Sequence, residues 1–182
     1  MIQAILSILD SRSFGSIWFW LLLVLVWGHA GRRVLGVPVD IAQAARGGDE
    51  SAALLLLDWL SLTLPRWRMG PKEGAVLLGL GAFGLSALAV LGFGYGLEMA
   101  QALVLLALPL ALLLALEVQL ARRLSAIVAA AEAGSLPVDR AGRAASSLMR
   151  RHRRVVTLAS VLAVAATAWR GALWLVAHPF GF

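Results

Sequence analysis

Cysteine is absent from this chain. That excludes disulfides, thiol nucleophiles, and thiolate ligation of zinc or an iron–sulfur cluster by the chain itself. Lysine occurs once, at Lys72, so fifteen of the sixteen basic side chains are arginine. Tyrosine also occurs once, at Tyr95, and Asp and Glu together number only ten. The three histidines, His29, His152 and His178, are too scattered for metal-ligand spacing. No nucleophile elbow, zinc-protease helix or phosphate-binding loop is present. Gly92, Gly94 and Gly96 follow no strand, so they are not a dinucleotide fingerprint. Acid, base and nucleophile nowhere converge. The chain reads as a non-enzyme with no cofactor of its own.

What it has in abundance is apolar surface: 60% of residues are hydrophobic and the mean hydropathy is +0.85. From Gly74 to Leu116 the only acid or base, besides the phenol of Tyr95, is Glu98. A hydrocarbon core about 30 Å thick needs roughly 20 helical residues to cross, so this run is two spans. Gly92, Gly94, Tyr95, Gly96 and Glu98 mark the turn between them. The expected spans are about 74–91 and 99–116, flanked by others at about 14–30 and 155–177. Trp18, Trp20 and Trp27 form an aromatic belt on the first, and Pro109 is expected to kink the third.

Ile2, Ile5, Leu6 and Leu9 share one helical face, which suits a short interfacial helix over residues 2–9. No signal peptide is expected, because the first residues lack a basic segment and a small-residue exit. Pro38 and Asp40 predict a short helix through Arg46, stopped by Gly47 and Gly48. Ser51 to Leu64 is apolar but too short to span, and reads as either interfacial or buried against the bundle. Arg122 to Ala133 is expected to continue the third span as an amphipathic helix. The whole is an all-α polytopic membrane protein. It comprises a single membrane domain with four transmembrane helices and one or two cytoplasmic interfacial helices.

Six bases fall in the 31–73 loop and eight in the 117–154 loop, fourteen of the sixteen in all. By the positive-inside rule both loops are cytoplasmic and both termini lie outside, on the periplasmic side. Arg150, Arg151, Arg153, Arg154, Arg122 and Arg123 suit anionic lipid or an acidic partner rather than nucleic acid. Small residues recur at alternating spacings of four and three: Ala75, Gly79, Ala82, Ser86 and Ala89 on the second span, Ala159, Ala163 and Ala166 on the last. Such stripes let membrane helices pack closely, here in a larger complex or a homo-oligomer. Arg170 continues the last stripe, and an arginine inside a span is costly unless paired. Arg170 either pairs with Glu98, assisted by Gln101, or snorkels outward to the periplasmic interface.

Several stretches also form a pattern together: Leu9-Asp10-Ser11-Arg12-Ser13-Phe14 leading to Ile17-Trp18-Phe19-Trp20; Val34-Leu35-Gly36-Val37-Pro38; Gly94-Tyr95-Gly96-Leu97-Glu98 with Ala100-Gln101-Ala102; and Ala121-Arg122-Arg123. They resemble a family of small alphaproteobacterial inner-membrane proteins that bears the label "component of SufBCD complex". The resemblance implies a membrane tether or scaffold for soluble iron–sulfur assembly machinery, and it assigns no catalytic residue. The expected function is therefore a non-catalytic accessory, assembly or scaffold protein. The alternatives are a stoichiometric subunit of an energy-converting complex, or a small transporter or channel using Glu98 and Arg170. The last lacks a polar path through the middle of the spans.

Overall fold

The computed structural model describes residues 13–30, 34–68 and 70–177. The expected helix over 2–9, Arg12, Arg32, Arg33 and the tail from His178 lie outside the described residues. Within them the chain is all helix: α1 (Ile17–Ala30), α2 (Val39–Arg46), α3 (Glu50–Thr63), a 3-10 turn (Leu64–Trp67), α4 (Pro71–Ala89), a π-helical turn (Val90–Gly94), α5 (Glu98–Glu132) and α6 (Val138–Ala177). Three segments are long and apolar enough to cross a membrane: Pro71–Gly94, Glu98–Glu132 and Val138–Trp174.

Two expectations change. The first concerns α1, whose described helix has 14 residues, with Ser13 to Ser16 forming a turn ahead of it. At 1.5 Å per residue it is about 21 Å long, short of a hydrocarbon core. Three helices, not four, have spanning length among the described residues. α5 has 35 residues and runs unbroken through Pro109, Glu117 and Arg122 to Glu132, so the third span continues as a helix over the 122–133 stretch as expected. The second change concerns the entry to the last span: α6 has 40 residues and starts at Val138, so the arginine-rich stretch before 155 is helical too. Such helices are about 52 and 60 Å long, nearly twice a hydrocarbon core. The chain divides into two compact units.

The first unit comprises the described parts of 1–27, 71–112 and 158–182. Its packing is sparse. α4 buries none of its residues, and added Cβ atoms at Gly74, Gly79, Gly81 and Gly84 would meet nothing within 4 Å. Ala75, Gly79, Ala82 and Ser86 are exposed and Ala89 is half-buried, so this stripe is left bare by the chain itself. On α6, Ala163 is buried, Ala159 half-buried and Ala166 exposed.

The second unit comprises 28–70 and 113–157. It has a contiguous apolar core in which Leu56 and Leu60 of α3 and Leu124 of α5 are fully buried, with Ala141, Ala145 and Met149 of α6 packed among them. Ala53, Leu56, Leu57, Leu60 and Leu64 recur at helical spacing and supply α3's buried face. Each buried leucine contributes roughly 1.5–3 kcal/mol, which holds α3 in the unit. Ser51 to Leu64 thus buries one face against the unit, while Leu54, Leu55, Trp59 and Leu62 remain exposed on the other. The expected short helix is α2; Gly47 caps it, and Gly48, at φ +93°, makes the left-handed turn. Asp49 then caps α3, accepting from the N–H groups of Ser51 at 3.0 Å and Ala52 at 3.3 Å. α6 crosses α3 at Gly142, where an added Cβ would lie 2.5 Å from the Cβ of Ala53.

Candidate functional site

Two groups of polar side chains stand out, one in each unit. In the first unit, Gly92 lies so close to α5 that a Cβ there would come within 2.7 Å of the backbone N of Gln101. The π-helical turn at this approach leaves carbonyls without ordinary helical partners. Gln101 Nε2 donates to one of them, the Gly92 carbonyl, at 2.7 Å. One turn earlier, Glu98 accepts the backbone N–H of Phe14. Trp20 Nε1 donates to the Phe14 carbonyl at 3.0 Å, and Phe14 and Trp20 both pack over Gly171 of α6. Glu98 and Gln101 are each only 3% exposed, and Oε2 of the acid and Oε1 of the amide have no partner.

This cluster ties the start of α1, the π-helical turn and the start of α5 together. It brings Glu98 and Gln101 into one place but does not bring Arg170 to them. The ion pair found among the described residues is Arg143–Asp139, on α6. Glu98 accepts a backbone N–H through Oε1, and no ion pair joins it to the half-buried Arg170 among the described residues. Glu98 and Gln101 both hydrogen-bond backbone groups, so the cluster fastens backbone.

In the second unit, α2 and α6 border a cleft of about 340 Å³. Arg150 and Arg153, three apart and so on one helical face, reach it from α6, and Arg46 and Gln43 reach it from α2. Its apolar lining comes from Val34, Val37 and Met149. Val34 and Val37 are set by a tight turn in which the Val37 N–H donates to the Val34 carbonyl at 3.0 Å. Leu35 and Gly36 both take positive φ in that turn, 52° and 80°. Leu35, a side chain that disfavours this region, is held there by near-complete burial. Arg46's neighbouring charge, followed by burial and by Arg154, lowers the Arg150 guanidinium from its ordinary value.

Of the six arginines expected to meet lipid or partner, the cleft brings together Arg150 and Arg153. Arg151, Arg154, Arg122 and Arg123 are exposed and do not line it. Arg46 and Gln43 were not foreseen, because no linear spacing relates residue 46 to residue 150. His152, buried and with Nε2 unpartnered, faces away from its arginine neighbours, and burial lowers its imidazole below the ordinary value. No group of three or more His, Cys, Asp or Glu able to hold a metal occurs among the described residues. No family model, curated protein or solved structure matches the chain.

Proposed function

We propose that the chain is a non-catalytic scaffold or accessory protein of a bacterial inner membrane, which holds a folded basic helical unit at the cytoplasmic face. The observation that carries this reading is the core of the second unit. Segments that hydropathy marks as loops bury Leu56, Leu60 and Leu124 together, and they leave Arg122, Arg123, Arg151 and Arg154 exposed. A folded surface of that charge suits anionic lipid and an acidic partner. The bare small-residue stripe of α4 suits a neighbouring membrane helix, from a second copy or a larger complex. The soluble iron–sulfur assembly complex named by the resembling family is the first partner to test.

The orientation follows from the apolar hairpin rather than from α1. If Pro71–Gly94 and Glu98–Glu132 both cross, residues 34–68 and 133–157 lie on one side, and the charge bias makes that side cytoplasmic. Only the side of the N-terminus depends on whether the 14 residues of α1 cross. Because the chain has no cysteine, single introduced thiols report this directly. Ser147→Cys should react with an impermeant maleimide only after the membrane is opened, and Tyr95→Cys in intact periplasm-exposed cells. The function is tested by purifying the tagged protein in mild detergent and identifying what elutes in fixed ratio by mass spectrometry. A stoichiometric partner supports the scaffold reading; a lone oligomer with no partner under native extraction overturns it.

A further inference from the structure

Like charges are costly to assemble without a counter-charge. Yet Arg46 of α2 and Arg150 and Arg153 of α6 border one cleft with no carboxylate in its lining and no ion pair to any of the three among the described residues. The Gln43 amide adds a neutral donor at the same rim. The rest of the lining includes the apolar Val34, Val37 and Met149. Three guanidinium forks and an amide match an anion with three or more acceptor oxygens and more than one hydrogen-bonding face. A carboxylate offers its acceptor sites in one plane, whereas a phosphate ester presents three oxygens in a tetrahedral array and so meets donors arriving from two helices. The apolar lining needs a ligand with a carbon skeleton attached to that phosphate.

We propose that this cleft is a binding site for the phosphate of a phosphate-bearing molecule, seated among Arg46, Arg150, Arg153 and Gln43 with its carbon portion against Val34, Val37 and Met149. The phosphate belongs either to an anionic lipid headgroup or to a small soluble phosphate ester. A volume of about 340 Å³ is at the small end of ligand clefts, and holds a glycerol phosphate or a headgroup with the first methylenes of its chains. The site differs from a diffuse basic surface because Arg151 and Arg154, on the same helix, stand outside it. The inference deepens the scaffold reading and relies on it only in setting the second unit at a membrane.

The test uses the full chain purified in mild detergent, with Arg46→Gln and Arg150→Gln as cleft variants on two different helices. Arg151→Gln and Arg154→Gln change the net charge equally outside the cleft, and circular dichroism checks that each variant is folded. Native mass spectrometry reads retention of added phosphatidylglycerol against diacylglycerol of the same chains, and calorimetry reads binding of glycerol 1-phosphate. A tenfold or larger loss of phosphatidylglycerol in both cleft variants, with wild-type retention in both controls, supports the proposal and names the lipid source. The same pattern for glycerol 1-phosphate, without lipid retention, supports it and names a soluble ester. Equal losses in cleft and control variants overturn it as diffuse attraction, and so does diacylglycerol retained as well as phosphatidylglycerol. Displacement by a polyglutamate peptide but not by glycerol 1-phosphate overturns it in favour of an acidic protein. Lipid retention that ignores the cleft variants sinks the cleft and spares the membrane placement. A cleft-dependent ester in a chain that purifies without any partner does the reverse.

Discussion

Moving one methyl group between helices should reveal whether the second unit is a packed core. Ala53 of α3 rests against Gly142 of α6, and a Cβ at residue 142 would lie 2.5 Å from the Ala53 Cβ and 3.1 Å from its Cα. Neither atom can rotate away, so Gly142→Ala forces the helices apart. Overpacking of this kind costs about 1–3 kcal/mol, and the better helix propensity of alanine returns about 1. Ala53→Gly loses about 1 kcal/mol of propensity and about 0.8 for the buried methyl. In the double variant the propensities cancel and the methyl is merely carried by the other helix. The remaining 3.1 Å approach leaves a residual of under about 1 kcal/mol. Coupling is therefore favourable by about 1–3 kcal/mol, against an additivity error of about 0.5. Trypsin, which cuts after the many arginines here, reads the open population under native conditions. Ala53→Gly should be cut about 20-fold faster than wild type, Gly142→Ala up to about 30-fold, and the pair within about fivefold, since each 1.4 kcal/mol is tenfold. Additive rates in the double variant would falsify the packed interface.

Three further outcomes follow from the described contacts. Glu98→Gln keeps an acceptor for the Phe14 N–H and should melt close to wild type by circular dichroism, whereas Glu98→Ala strands that N–H and costs about 1–3 kcal/mol. Adding Arg170→Met to either should be additive within about 0.5 kcal/mol; a coupling well above that would restore the ion pair. Gly92→Ala drives a Cβ against the α5 backbone and should destabilise the hairpin by about 1–3 kcal/mol, seen as a lower melting temperature. Burial lowers the His152 imidazole, so the unfolded chain binds its proton at higher pH than the folded one. Stability contributed by neutral His152 is complete above about pH 6.5 and lost as pH falls towards the depressed folded value. The melting temperature should drop between pH 7.5 and 5.5, and His152→Leu should flatten that drop; an unchanged slope would remove His152 as its source.

The apolar hairpin was legible because both its signals are local. Forty apolar residues exceed one span, and the glycines that break them do so through their own geometry. Gly96 turns at φ +76°, and Gly92 permits an approach to Gln101 that any Cβ blocks. The short α2 was legible for the same reason, since Gly47, Gly48 and Asp49 act on their immediate neighbours. The end of α5 was legible too, since Arg122 to Ala133 keeps helical periodicity past the apolar run, but the start of α6 was not. Hydropathy reports where a helix leaves an apolar medium, not where it stops being a helix. The 138–154 segment is as helical as the apolar residues beyond it.

The second unit was hidden by an ambiguity in amphipathic helices themselves. Leu56, Leu57, Leu60 and Leu64 make the same one-sided stripe whether they lie on lipid or on another helix, and periodicity cannot tell the two apart. What separates them is small residues on both partners at one crossing. Here these are Ala53 and Gly142, 89 positions apart, and a sequence stripe on one helix says nothing of its match on another. The same distance hid the cleft. Arg150 and Arg153 announce a basic face by their spacing, but a face becomes a site only when a second element closes it. Arg46 and Gln43 do that from an eight-residue helix whose position is set by the left-handed Gly48 and the buried positive-φ turn at Leu35. The shape of this cleft thus depends on where two short turns aim one small helix, and that is a tertiary property.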